Sequence, residues 1–200
     1  MRVLFASTRG AGHFNPLVPF IESALRADHE VMVAGPPPLA EILEAAGYRF
    51  WPGESPPQEE LGPVWARVPT VSPDEANEIV VGEIFGTLNV RAMLPSLRAA
   101  VDEWRPDLVI REQHEFASAI AAELRGVPHA RLGVTLAAFE RLSLRIAGPP
   151  LEEQHAGIAE AIWRSPYLTL FPASLEDPEA EQPPDTHRFR DPGDPAAARR

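Results

Sequence analysis

The stretch that decides the fold is Arg2-Val3-Leu4-Phe5-Ala6-Ser7, with the glycine loop Gly10-Ala11-Gly12-His13-Phe14-Asn15-Pro16 a few residues later. A short apolar run that ends near glycines predicts a buried strand followed by a tight turn. Helical spacing comes next, because apolar side chains recur three, four, seven and eight positions after the first, at Leu17, Phe20, Ile21, Ala24 and Leu25. The opening therefore predicts a strand, a glycine turn and an amphipathic helix.

The same alternation of strands and helices continues along the chain. Further strands are predicted over 29–34, 48–51, 106–110, 129–134 and 167–171, and helices over 38–46, 73–85, 91–104, 116–124 and 152–163. Residues 52–73 are rich in proline and without a period, which predicts a long irregular loop. The order predicts an α/β fold with a doubly wound, mostly parallel, Rossmann-like sheet.

The composition sets limits on domains and partners. We predict one domain over residues 1–175 and a linker or tail rich in proline and acid over 176–200. A net charge of -11 argues against nucleic acid or an anionic membrane as partner, since both attract Lys and Arg. With no cysteine, disulfides and thiolate chemistry are excluded. No apolar run approaches the ~20 residues of a membrane span, and we expect a cytoplasmic protein.

The glycine loop could indicate a dinucleotide site, but two positions argue against it. Pro16 stands where the third glycine of that motif belongs, and the second strand ends at Gly35 without the acid that would hold a ribose. A nicotinamide or flavin cofactor, and an oxidoreductase, are therefore disfavoured.

His13 is the first candidate for chemistry. It lies between the first strand and the first helix, at the edge where open parallel sheets bind ligands. A helix N-terminus disfavours the imidazolium, so we expect a neutral ring that can act as general base near pH 7. The alternatives are that His13 is buried or caps the helix.

Glu112 is the second candidate, at the C-terminal end of the fourth strand. If strands one and four are neighbours, its carboxylate can reach the ring of His13, fix the tautomer and stabilise the imidazolium, as the acid of a catalytic triad does. Alternatively, Glu112 is a solvated loop acid or pairs with Arg111. The spacing leaves both interpretations open.

Together these segments resemble the N-terminal, acceptor-binding half of bacterial antibiotic-type glycosyltransferases of the GT-B fold, which include macrolide transferases and are related to UDP-glucuronosyl/glucosyl transferases. The resemblance rests on four segments that cover about residues 1–192: Val3-Leu4-Phe5-Ala6 with the loop from Gly10 to Leu17, then 29–34, 104–112 and 165–172. It implies that His13 is the general base, oriented by Glu112, and that a hydroxyl of the acceptor attacks a nucleotide-activated hexose with inversion.

The resemblance also implies that the nucleotide-sugar is a substrate, that no metal or other cofactor is needed, and that the donor is bound by a C-terminal domain outside this chain. The chain alone is then expected to be inactive. The face that this domain would cover is expected to favour a homodimer. Glutamate stands at position 112 where aspartate is commoner in the family, and His114 is a competing partner for it.

The acceptor is expected to be an apolar small molecule of polyketide or macrolide type, held mainly by burial of its surface. Candidate acceptor-binding residues are Gly12, Phe14, Asn15, Trp65, Phe85, Leu88, His114, Phe139 and Leu142. For the apolar ones, ordinary core packing is an equal alternative. A binding module that retains the fold without catalysis is the alternative function.

Overall fold

The computed structural model describes residues 1–191 and contains a seven-stranded parallel sheet. The strands are β1 (Arg2–Ala6), β2 (Glu30–Gly35), β3 (Phe50–Pro52), β4 (Leu108–Glu112), β5 (His129–Leu132), β6 (Tyr167–Thr169) and β7 (Thr186–Arg188), in the order β3-β2-β1-β4-β5-β6-β7. β1 lies between β2 and β4, with Val3 paired to Val31 and to Leu108. The predicted doubly wound parallel fold is confirmed.

Helices cover both faces of this sheet. They are α1 (Ala11–Phe14), α2 (Val18–Arg26), α3 (Ala40–Ala46), α4 (Gln58–Arg67), α5 (Pro73–Asn77), α6 (Val90–Trp104), α7 (Ala117–Glu123), α8 (Ala137–Gln154) and α9 (Ile158–Arg164), and a π-helical segment (Glu78–Asn89) joins α5 to α6. Short 3-10 turns precede α2 and α3 and follow α4.

Alternation along β1 divides the core into two layers. Val3 and Phe5 pack with Ile21 of α2 on one face, whereas Leu4 packs with Leu97 of α6 on the other. All five side chains are at most 2% exposed. Burial of such a side chain contributes roughly 1.5–3 kcal/mol, so the strand is fixed from both faces.

The predicted loop over 52–73 is wrong in its centre, because α4 lies there. Pro57 has an extended backbone and is followed by Glu59 and Glu60 in the first helical turn, where acids are favourable. Leu61 of this helix is 5% exposed and packs against Ile84. The many prolines in this stretch led to the prediction of a loop, although α4 begins directly after Pro57.

The two helices predicted over 73–85 and 91–104 form one continuous helical run. The run begins at a cap, in which Ser72 and Glu75 form a reciprocal capping box. The run then widens into the π-helical segment, where Gly86 packs so closely on α8 that an added Cβ would lie 3.1 Å from the Cβ of Ala147. The close crossing explains why glycine occurs inside this helix.

The helix predicted over 152–163 is two elements. α8 begins much earlier, at Ala137, continues through Pro149 and Pro150, and ends at Gln154. Gly157, with φ +84°, then starts α9. A positive φ strains the backbone of most residues but not of glycine. The break between the two helices therefore lies at this glycine.

Part of the predicted tail belongs to the sheet. Thr186–Arg188 pairs with β6 as a parallel edge strand, and the ring of Phe189 contacts that of Phe20 at 5.2 Å between centroids. The linker predicted from residue 176 is therefore structured in this portion, and the last part of the predicted tail, 192–200, lies outside the described residues. No helix in residues 1–191 is long and apolar enough to cross a membrane.

Candidate active site

The site lies where the strand order reverses. β1 and β4 are neighbours, and Ala6 at the end of β1 pairs with Arg111, which places Glu112 at the same edge as the glycine loop. Helices that follow β1 and β4 cover opposite faces of the sheet, so a crevice opens between them. The condition stated from the sequence, that strands one and four are neighbours, is fulfilled.

The glycine loop positions His13. Gly10 has φ +111°, a conformation that favours glycine, and its carbonyl accepts hydrogen bonds from the backbone N–H groups of His13 and Phe14. Gly12 is exposed, and a Cβ added there would have no atom within 4 Å. The backbone at Gly12 is thus open to close approach by a ligand. The His13 side chain is 24% exposed.

The Glu112 carboxylate is fully buried and each of its oxygens is paired. Oε2 lies 3.0 Å from Nδ1 of His13 and accepts from the backbone N–H of His114 at 2.8 Å. Oε1 accepts from the Thr8 hydroxyl at 2.7 Å and from the Thr8 backbone N–H at 3.3 Å. Burial alone would raise the pKa of Glu112, but the charge and hydrogen bond of His13, with those of His114, lower it to about 2.

The His13–Glu112 pair shifts the pKa of His13 in the direction opposite to the one expected from a helix N-terminus. We expected the helix N-terminus to hold the ring neutral, but the pKa of His13 is raised above its usual 6.5. Burial lowers this pKa, and the charge and hydrogen bond of Glu112 outweigh burial. α1 has only four residues, whereas the carboxylate is in direct contact, so the nearby full charge dominates. When Nδ1–H donates to Glu112, Nε2 is left as the proton-accepting nitrogen.

The competing partners for Glu112 take other roles. The Arg111 guanidinium is buried and donates to the backbone carbonyls of Glu112 and Gln113, at 3.1 and 2.8 Å. His114 binds the carboxylate through its backbone N–H, whereas Nε2 of its ring lies 3.2 Å from the Ser143 hydroxyl. Burial lowers the pKa of His114 to about 4, so this ring is neutral near pH 7.

An aromatic cluster surrounds the His13 ring. Phe85, presented by the π-helical segment, lies 5.3 Å from His13 and stacks on His114 at 5.1 Å between centroids. Phe139 of α8 lies edge-on to the His114 ring, with centroids 6.1 Å apart. The structure therefore brings two predicted acceptor-binding residues, Phe85 and His114, to the candidate base, and a third, Phe139, to His114.

The other predicted acceptor-binding residues are scattered. Asn15 is exposed beside the loop, whereas Phe14 is 2% exposed in the core beneath α2 and is not available to a ligand in the crevice. Leu88 is 9% exposed and packs with Leu61. Leu142 lines a separate hollow of about 660 Å³ between α8 and α9, away from His13.

A smaller groove of about 100 Å³ opens next to the aromatic cluster. Trp65 and Phe85 line it together with Leu61, Ile84 and Met93, and Thr8 is also part of its lining. Although the hollow near Leu142 is larger, this groove shares Thr8 and Phe85 with the surroundings of the His13–Glu112 pair. The groove is therefore the better candidate for binding a reacting molecule. The sequence did not indicate Thr8, Leu61 or Met93, since nothing in its pattern distinguishes them from core or loop residues.

The same pair could contribute to a metal site. One ligand atom from each of His13, Glu112 and His114 lies within 4.8 Å of the others, a spacing at which they could hold a cation together. In this structure Nδ1 of His13 and Oε2 of Glu112 are instead hydrogen-bonded to each other. Metal-independent chemistry stays a prediction.

Comparison with solved structures identifies the fold. The chain resembles the Streptomyces sp. SF2575 glycosyltransferase SsfS6 with a TM-score of 0.71 and 23% identity, covering 96% of this chain and 54% of that one. SsfS6 has also been solved with thymidine diphosphate. The glycosyltransferase SnogD from Streptomyces nogalater gives a TM-score of 0.69 and 24% identity, over 96% of this chain and 51% of that one. The fold is that of one half of a GT-B glycosyltransferase.

Sequence comparison then defines the family. Residues 23–163 match the family described as Erythromycin biosynthesis protein CIII-like, N-terminal domain, and the chain belongs to this family. It is 38% identical to the L-demethylnoviosyl transferase of Streptomyces niveus over 133 residues, 66% of this chain and 34% of that protein. It is 29% identical to the 10-deoxymethynolide desosaminyltransferase of Streptomyces venezuelae over 210 residues, 88% of this chain and 46% of that protein. The chain thus spans between a third and a half of these relatives.

Proposed function

We propose that this chain is the acceptor-binding half of an inverting glycosyltransferase, which transfers a hexose from a nucleotide-sugar to a hydroxyl of an apolar natural product. The observation that carries the proposal is the 3.0 Å contact between Nδ1 of His13 and Oε2 of Glu112, at the crevice edge of the sheet. Membership of the family and the names of its relatives as transferases support it.

The proposed chemistry uses Nε2 of His13 as general base. The acceptor O–H bond breaks as its proton passes to Nε2, and the oxygen forms a bond to the anomeric carbon. The bond from that carbon to the diphosphate oxygen breaks on the opposite face, so configuration inverts and a nucleoside diphosphate leaves. Glu112 stabilises the imidazolium that forms, because its carboxylate already binds Nδ1–H.

The surroundings of Glu112 support an orienting role. The carboxylate is held by Thr8 and by the backbone of His114, so it does not need to reorganise when His13 gains a proton. Phe85 and His114 pack against the His13 ring and limit access of water. His114 itself is proposed to contact the acceptor or to support the ring, since its low pKa makes it a poor base near neutral pH.

Donor binding is proposed to depend on a second domain, carried by the same or another polypeptide. The relatives are two to three times longer than their matched portions. We therefore expect the 200-residue chain alone to bind the acceptor but not to turn over a nucleotide-sugar. Robust transfer by the purified chain alone would contradict this part of the proposal.

The experiment measures transfer from a thymidine diphosphate hexose by an enzyme assembled from this chain and a donor-binding half. His13→Ala should lower turnover by roughly 10²–10⁴-fold. The matched control is His187→Ala, because His187 forms a similar pair with Asp185 at 2.8 Å on the exposed edge strand. Equal turnover of wild type and His13→Ala would exclude His13 as the base.

The second candidate is a binding module without catalysis. The groove beside Phe85 favours it, since a ligand can bind there without a donor. Acceptor binding with unchanged affinity in an assembled enzyme that shows no transfer would select this alternative.

A further inference from the structure

The groove beside the aromatic cluster is small. Its volume of about 100 Å³ is below the ~300–1,000 Å³ of pockets that enclose a drug-sized ligand. It is close to the scale of the ~150 Å³ apolar cavity that binds benzene. The groove can therefore accept one six-membered ring, with the remainder of a larger molecule outside.

The walls of the groove suit a flat ring. Trp65 and Phe85 are aromatic, Leu61 and Ile84 are aliphatic, and Met93 adds a flexible thioether that packs well against aromatic edges. Trp65 is 44% exposed, and the other three tryptophans, all within residues 1–191, are more buried. An exposed indole at the mouth of an apolar groove is a surface that a bound ring would cover.

The edge of the groove is polar. Gln58 of α4 and Asn89 at the end of the π-helical segment line it, and Glu54 lies in the loop after β3. Amide and carboxylate groups can bind hydroxyl or amino substituents on the edge of a ring while its faces contact apolar walls. This combination orients a substituted aromatic ring better than a featureless hydrocarbon.

Two residues that line the groove, Phe85 and Thr8, also contact the His13–Glu112 pair. Phe85 lines the groove, and its ring is 5.3 Å from that of His13. Thr8, which also lines the groove, donates to the carboxylate that binds His13. A ring in the groove therefore lies next to the base, and a hydroxyl on that part of the molecule can approach it.

We propose that the groove between α4 and the π-helical segment binds an aromatic ring of the acceptor, so that the preferred acceptors carry a phenol or another aryl group. The link to sugar transfer rests on the proposed function, but binding of the ring does not. A saturated macrocycle of similar polarity fits this groove poorly, because it is thicker than a ring and has no flat face.

The test is calorimetric titration of the 200-residue chain with two probes that share a carbon skeleton, 2-naphthol and decahydro-2-naphthol. The aromatic probe should bind roughly two- to tenfold more tightly, the gain expected of an aromatic contact. Equal affinities, or tighter binding of the saturated alcohol, would overturn the proposal.

Variants locate the binding. Trp65→Ala should weaken binding of 2-naphthol roughly fivefold or more, and Trp65→Phe should restore most of it. Leu175→Ala is the control, since Leu175 is 59% exposed and does not line the groove. Unchanged binding by Trp65→Ala would place the ring elsewhere and contradict the proposal.

His13→Ala separates this inference from the proposed function. It should keep the preference for 2-naphthol over decahydro-2-naphthol, since both probes carry the same hydroxyl and His13 does not line the groove. If wild type shows no preference for 2-naphthol over decahydro-2-naphthol while transfer still depends on His13, only the present inference is contradicted. If wild type prefers 2-naphthol while transfer does not depend on His13, only the proposal that His13 is the base is contradicted.

Discussion

The rings of Phe85 and His114 stack with their centroids 5.1 Å apart and their planes 18° apart. The contact joins the π-helical segment to the loop after β4, next to the candidate base. His114 also supplies the backbone N–H that binds Glu112, and this bond does not depend on the identity of its side chain. The side chain of His114 can therefore be changed without removing that donor.

We predict that His114→Phe lowers turnover of the assembled enzyme by less than tenfold. Phenylalanine keeps a flat ring against Phe85, and the imidazole of His114, with a pKa of about 4, is not the base. The pH–rate profile should keep its midpoint. A loss as large as that of His13→Ala, or disappearance of the titration, would show that His114 carries the proton.

Thr8→Val should destabilise the fold. The hydroxyl of Thr8 lies 2.7 Å from Oε1 of a carboxylate that is fully buried, and valine has the same shape without the donor. An incompletely paired buried carboxylate costs about 1–3 kcal/mol, measured by chemical denaturation at pH 7. Thr186→Val is the control, because Thr186 is half-buried and its hydroxyl donates to the backbone carbonyl of Pro183 rather than to a buried charge. Equal stability of the two variants would contradict the role of Thr8.

The pH dependence of stability has a definite sign at Glu112. Its pKa falls from the usual 4.5 to about 2 on folding, so the stability that it contributes is present above pH 4.5. That contribution decreases as pH falls from about 4.5 to about 2. Denaturation of Glu112→Gln should therefore be less dependent on pH in this window than wild type. A parallel decrease in both proteins would contradict the low pKa.

Gly86→Ala should destabilise the crossing between the π-helical segment and α8. The added Cβ would lie 3.1 Å from the Cβ of Ala147 and 3.1 Å from the carbonyl of Val81, and neither can move far. Overpacking of this kind costs about 1–3 kcal/mol, seen as a lower denaturation midpoint. Gly12→Ala is the matched control in α1, since its Cβ would have no atom within 4 Å. A destabilisation of Gly12→Ala equal to that of Gly86→Ala would count against the close crossing.

Transfer by the assembled enzyme should be insensitive to EDTA. Nδ1 of His13 and Oε2 of Glu112 bind each other, and a base in this state needs no metal to accept a proton. The measurement is the initial rate before and after removal of divalent cations. Loss of activity that is restored by one cation would instead support metal binding by His13, Glu112 and His114.

The sequence predicted where the strands at the site end, because apolar runs and glycines mark strand ends, and it made the neighbourhood of strands one and four a condition that the sheet fulfils. His13 and Glu112 follow neighbouring parallel strands, so their approach could be expected from the chain order. Phe14 was placed in the crevice incorrectly, since successive residues of a helix point about 100° apart and His13 faces the crevice while Phe14 faces the core. Thr8 was missed because its role depends on loop geometry, which has no period.

The walls of the groove were harder to predict. α4 is a helix among prolines, and its inner face is fixed by contacts of Leu61 with the π-helical segment that are distant in sequence. The π-helical widening that presents Phe85 has no marker in local propensity, and it occurs where Gly86 packs closely against α8. Tertiary contacts therefore decided what the local sequence left open.

The pairing of His13 with Glu112 is tested most directly by NMR titration of the His13 ring in the 200-residue chain, in wild type and in Glu112→Gln. In wild type the pKa of His13 should lie above 6.5, and the stability from this pair should be full below pH 6.5 and decrease as pH rises through the higher value. In Glu112→Gln burial acts without the carboxylate, so the pKa should fall below that of wild type. The same His13 pKa in both proteins would contradict the pairing on which the proposed mechanism depends.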